Sequence, residues 1–161
     1  MQGKGKVYIR SLIIDLIKTI KPKRTFTLPN LVFDVENIAS EYGKVITCEV
    51  DKSIFNKQRQ INKNKKIELN HGKASEILKD KDFDLVWLDL CGCYSKEFID
   101  CMDNINTKHL VVTLAKARDK FNKDTRNYFY KQLFTIYGYN VLNLIEYNDT
   151  FPMQVYFLSK Y

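Results

Sequence analysis

The stretch Phe83–Leu90, FDLVWLDL, constrains this chain more than any other. Phe83, Leu85, Val86, Trp87, Leu88 and Leu90 form an almost continuous apolar run. A strand with one wet face would alternate apolar and polar residues. A continuous run suits a strand covered on both faces, as in a parallel sheet between helices. The run closes on a carboxylate, Asp89, and opens into Cys91-Gly92-Cys93-Tyr94. In open α/β sheets ligands bind beyond the carboxyl ends of the strands. Asp89 and Tyr94 are therefore the first candidates for chemistry.

The flanking sequence extends the same pattern. From Val7 to Ile20, apolar residues recur at three- and four-residue steps, which gives an amphipathic helix stopped near Pro22. Arg24–Leu28 is a β-branched and aromatic strand broken by Leu28-Pro29-Asn30. A helix follows from Leu31, with Asn30 as its expected N-cap and Gly43 as its C′ residue. Strands are expected at Lys44–Asp51, Lys66–Asn70, Phe83–Leu90 and His109–Leu114. Between them lie helices at Ser53–Ile61, Ala74–Leu78 and Ser95–Ile105. An aromatic helix, Asp124–Tyr137, leads to strands at Asn140–Tyr147 and Pro152–Ser159. The turn Asn148-Asp149-Thr150 is too short for a parallel crossover, so the last two strands pair antiparallel. Five alternating β-α units and a hairpin make an α/β protein, a mostly parallel sheet with helices on both faces.

Composition narrows the function classes. The chain has 161 residues, 45% of them hydrophobic, which fits one domain of 1–161 with a helix over 1–22 and an α/β core over 24–161. No apolar run approaches the roughly 20 residues of a membrane span, and no membrane role is expected. Arg10, Asp15 and Lys18 interrupt the apolar part of the N-terminal helix, so it reads as the first helix of a cytoplasmic protein rather than a signal peptide (host cytoplasm for a viral one). The four cysteines, Cys48, Cys91, Cys93 and Cys101, lack a disulfide framework and the paired spacing of a structural zinc site. Reduced thiols and no metal are expected. The net charge of +7 favours a polyanionic partner, nucleic acid first, although lysine-rich faces are often simply solvated.

The order of elements resembles class I S-adenosylmethionine-dependent methyltransferases from about Arg24 to Tyr161, a three-layer Rossmann-like fold. The resemblance implies a seven-stranded sheet of order 3-2-1-4-5-7-6 and S-adenosylmethionine as cofactor. Within it, VITCEVDKSI is similar to the second-strand motif whose acid holds the cofactor ribose. Glu49 is that acid, with Asp51 as the alternative; an acid at the end of a strand also caps a following helix. FDLVWLDLCG is similar to the fourth-strand motif, which places Asp89 at the cofactor and the methyl acceptor, and Tyr94 nearby to stack on a base. The first turn, Leu28-Pro29-Asn30-Leu31, takes the place of the family's glycine-rich loop, and Lys73 stands where an acid is common. Backbone amides at Asn30 and Leu31 are then the expected contacts to the cofactor carboxylate.

No acceptor-specific motif follows the fourth strand. There is no Pro-Cys pair and no Pro-Pro-aromatic motif. The Lys-Asp-Lys-Glu set used for ribose methylation finds Thr113 and Gln154 at two of its places, with Lys116 three residues beyond. Lys116, Arg118, Lys120, Lys123 and Arg126 form a basic segment after the fifth strand, suited to phosphate contacts. Two readings follow. One is a methyltransferase acting on a nitrogen or oxygen of nucleic acid. The other is a non-catalytic binding or structural subunit of the same fold, viral in one version, working with a partner protein.

Overall fold

The computed structural model describes residues 4–90, 92, 94–116, 122–148 and 151–160. Cys91, Cys93, Arg118 and Lys120 lie outside the described residues. The elements run α1 (Lys4–Ile20), β1 (Arg24–Thr27), α2 (Asp34–Tyr42), β2 (Lys44–Glu49), α3 (Lys52–Ile61), β3 (Ile67–His71), α4 (Ala74–Leu78), β4 (Asp82–Asp89), α5 (Lys96–Asn104), β5 (Asn106–Ala115), α6 (Lys123–Ile136), β6 (Tyr139–Asn148) and β7 (Pro152–Lys160). The strands form one sheet in the order β3-β2-β1-β4-β5-β7-β6, as expected. β7 is antiparallel to β5 and to β6, and the other pairs are parallel.

The continuous apolar character of β4 has the inferred cause. Val86 and Leu88 face one core with α4, α5 and α6, where Phe98, Met102, Tyr130 and Phe134 pack. Leu85 and Trp87 face the opposite core with Ile9, Ile13 and Ile17 of α1 and Val35 and Ala39 of α2. Burying both faces fixes the register of β4, because a slip of one residue would exchange its two apolar sets. The register puts Thr27 beside both Thr47 and Trp87, and Asp89 beside Thr113. The carboxyl ends of β1, β2 and β4 thus meet at one edge.

Three local expectations about α2 need correction. Asn30 is not its N-cap, because the helix begins only at Asp34 after Phe33 in a left-handed conformation (φ 55°). Asn30 Oδ1 instead accepts from the amides of Val32 (2.7 Å) and Phe33 (3.1 Å), holding a separate turn. Burying the Phe33 ring at 2% exposure compensates its unfavourable backbone. Leu31, expected on the helix, is exposed before it. Gly43 ends α2 but in extended backbone (φ −173°), not a left-handed cap. Its need for glycine is steric: an added Cβ would lie 2.5 Å from Lys23 Cα and closer still to the Lys23 carbonyl.

Candidate functional site

A cleft of about 590 Å³ opens at the carboxyl edge, bordered by Leu28, Pro29 and Asn30 after β1, Glu49 at the end of β2, Lys73 before α4 and Asp89 at the end of β4. That volume lies in the range of cofactor-sized pockets. Each wall follows from local structure. The loop after β1 is held from behind by Gln58 of α3, whose buried Nε2 donates to the Pro29 carbonyl at 3.1 Å. Gly72 leaves β3 at φ +156° while its amide donates to the Glu49 carbonyl at 3.1 Å. Ser75 donates through its amide (3.1 Å) and hydroxyl (3.2 Å) to Glu97, which ties α4 to α5 at the far wall.

The polar groups are positioned in specific ways. Glu49 Oε1 accepts from the Asp51 amide at 2.8 Å, which fixes the carboxylate, and Oε2 has no partner among the described residues. Asn30 has its Oδ1 engaged by the two turn amides, while its buried Nδ2 has no acceptor among the described residues. A buried orphan donor beside a cleft is unusual in native proteins and needs an explanation. Cys48 lines the floor, and burial pushes its thiol up to about 12, so it is an apolar wall and not a nucleophile at neutral pH.

Among the sequence candidates, Leu28, Pro29, Asn30, Glu49, Lys73 and Asp89 border the cleft together. Asp51 does not: its side chain accepts from the Ile54 amide at 2.9 Å as the N-cap of α3. Tyr94 does not line the cleft either. Its ring lies edge-on against Phe129 of α6 (5.3 Å between centroids), and its amide donates to the Tyr130 hydroxyl at 3.0 Å. The amides that Asn30 Oδ1 engages are those of Val32 and Phe33, not the Asn30 and Leu31 amides expected to meet the cofactor carboxylate. Thr113 is engaged by Trp87 Nε1 at 3.2 Å, and Gln154 is fully buried without a hydrogen-bond partner among the described residues.

The basic segment is partly neutralised. Lys116 (2.7 Å) and Lys123 (3.3 Å) both pair with Glu146 of β6, holding that carboxyl below the usual range. Arg126 is buried, with Nη2 donating to the Lys116 carbonyl at 3.2 Å. Sequence reasoning missed the contribution of α1. Its first turn, starting three residues earlier than expected, brings Lys6 to Asp89 Oδ2 at 3.2 Å. One turn on, Arg10 makes a two-pronged contact to Asp34 at 3.1 and 3.2 Å. Helical periodicity located α1 but carried no signal for the edge it covers.

Comparison with known proteins gives the class of fold. No family model matches the sequence, and no curated protein matches it. Solved structures do match. Magnesium protoporphyrin IX methyltransferase from Synechocystis, with bound S-adenosylhomocysteine, superposes at TM-score 0.73, with 8% identity over 98% of this chain and 84% of that one. An O-methyltransferase from Bacillus cereus, also in complex with S-adenosylhomocysteine, gives 0.69 at 14% identity over 95% and 81%. A candidate RNA methyltransferase from Pyrococcus horikoshii gives 0.68 at 15% identity over 95% and 84%. The chain therefore has the class I methyltransferase-like Rossmann fold. At these identities the likeness concerns the fold, and the site must speak for itself.

Proposed function

We propose that this protein is an S-adenosylmethionine-dependent methyltransferase acting on a nitrogen or oxygen of a nucleic acid. The observation that carries the reading is the open cleft in which Asn30, Glu49 and Asp89 converge from three adjacent strands. A first turn filling the cleft would have supported the non-catalytic subunit; Leu28, Pro29 and Asn30 instead border an open space of about 590 Å³. The polar groups suit the cofactor. Glu49 offers an acceptor oxygen to ribose hydroxyls, and Nδ2 of Asn30, without an acceptor among the described residues, offers a donor beside the loop amides of Asn30 and Leu31. When bound, the cofactor supplies a methyl group on a sulfonium, which leaves as a neutral thioether.

Asp89 borders the same cleft and is mostly covered, with 11% of its side chain exposed. It accepts a hydrogen bond from the acceptor's N–H or O–H and orients the lone pair toward the methyl group. Proximity and orientation then supply most of the rate. The net charge of +7 supports a polyanionic acceptor. The test is incubation with methyl-labelled S-adenosylmethionine and single-stranded or duplex RNA and DNA oligomers, using wild type and Asp89→Ala. Label on an oligomer that disappears in the variant supports the reading. Oligomer binding without label in either protein supports the non-catalytic subunit.

A further inference from the structure

Lys6 is the one α1 cation paired with a strand-end carboxylate in the cleft, among the described residues. Its placement is built rather than incidental. Gly5 lets the first turn of α1 lie directly on β6: an added Cβ there would stand 2.6 Å from Tyr147 Cδ2 and 2.8 Å from the Asn148 carbonyl oxygen. Arg10 anchors the next turn to Asp34. Ile9, Ile13 and Ile17 bury the rest of the helix against the sheet. With α1 packed at these points, Lys6 stands in the cleft wall. The pair is largely covered, with 28% of the Lys6 side chain and 11% of the Asp89 side chain exposed.

We propose that Lys6 is a specificity-determining residue that, by neutralising Asp89, sets how the cleft discriminates the sulfonium donor from its thioether product. The inference rests on the methyltransferase reading. S-adenosylmethionine and S-adenosylhomocysteine differ by one methyl group and one positive charge at sulfur. An unpaired carboxylate in a partly covered cleft would favour the charged donor through Coulomb attraction. It would also oppose loss of that charge during transfer, because binding that is stronger in the ground state than in the transition state does not accelerate the reaction. The Lys6–Asp89 pair presents a net neutral wall instead. Sequence order supports the placement. The sulfur is one carbon from the ribose, and Asp89 is two strands from Glu49, about 10 Å at ~4.8 Å per strand.

The test is calorimetric titration of both ligands into wild type, Lys6→Met, Lys6→Arg and Asp89→Asn. In Lys6→Met the ratio of affinities shifts toward S-adenosylmethionine by about tenfold, the scale of one uncompensated charge in a partly solvated cleft. Lys6→Arg keeps the wild-type ratio. Asp89→Asn leaves Lys6 unpaired and shifts the ratio the opposite way, so the proposal does not hang on one variant. Equal weakening for both ligands, or a ratio within twofold of wild type in both charge-changing variants, overturns it. Wild type binding neither ligand is a different outcome: it refutes the methyltransferase reading itself and this inference with it.

Discussion

Replacing Gly43 by alanine tests how the β1–β2 pair is started, at the amino ends of its strands. Gly43 has an extended backbone that any residue adopts, so the cost is purely steric. The new Cβ would stand 2.5 Å from Lys23 Cα and closer to its carbonyl, whereas real Cβ contacts essentially never fall under 3.0 Å. Its neighbour is backbone, which cannot rotate aside. The same Lys23 carbonyl accepts from the Lys44 amide at 2.9 Å, the bond that opens the β1–β2 ladder. Overpacking costs about 1–3 kcal/mol, and the strained hydrogen bond about 1 kcal/mol more. A loss of about 3 kcal/mol lowers Tm by roughly 6–12 °C in a chain of this size. Urea denaturation should show a lower midpoint with an unchanged m-value. Gly92→Ala is the control, because nothing lies within 4 Å of its added Cβ, and it should stay within about 0.5 kcal/mol of wild type. Gly43→Ala unfolding within about 0.5 kcal/mol of wild type would refute the argument.

Three further outcomes are expected. Burial holds the Glu36 carboxyl above its ordinary range, against the hydrogen bond from Thr27 (2.7 Å). The folded state then binds the proton more tightly than the unfolded state. Stability falls as pH rises from the ordinary carboxylate value through the raised one, and is level above it. Glu36→Gln should flatten that decline in urea midpoints between acid and neutral pH; an unchanged slope would contradict it. Gln58→Leu leaves the Pro29 carbonyl without its donor and should cost about 1–3 kcal/mol in the same assay. Glu146→Gln releases Lys116 and Lys123, so binding to a single-stranded RNA, followed by fluorescence anisotropy, should tighten. Its log–log salt slope should steepen by about 0.7 per added phosphate contact. An unchanged slope would show that this segment does not meet phosphate.

The fold was legible because its signals are periodic and local. The two-faced apolar run of β4, the helical spacing of α1 and the short β6–β7 turn each exclude alternatives, and together they leave a mostly parallel α/β sheet closed by a hairpin; its strand order came from the resemblance to methyltransferases. The site was legible where a residue ends a strand, as with Glu49 and Asp89, since register carries such residues to the edge. It was less legible where a short side chain chose between backbone partners. Asn30 and Asp51 are both plausible caps, yet Asp51 caps α3 while Asn30 organises a turn before α2. That difference depends on burial of Phe33, a tertiary term. The Lys6–Asp89 pair was not legible, because the residues are 83 positions apart and meet only through the path of α1. The position of Tyr94 was not legible for a related reason: α6, distant in sequence, supplies Phe129, against which its ring packs outside the cleft lining.

The most direct measurement is calorimetric titration of S-adenosylmethionine and S-adenosylhomocysteine into wild type and Glu49→Ala. The account predicts micromolar binding to wild type, weakened at least tenfold in the variant, with the variant's Tm lowered by no more than about 4 °C, the cost of the one exposed hydrogen bond from the Asp51 amide to Glu49 Oε1. No heat of binding at millimolar ligand, or equal binding by wild type and Glu49→Ala, would contradict it.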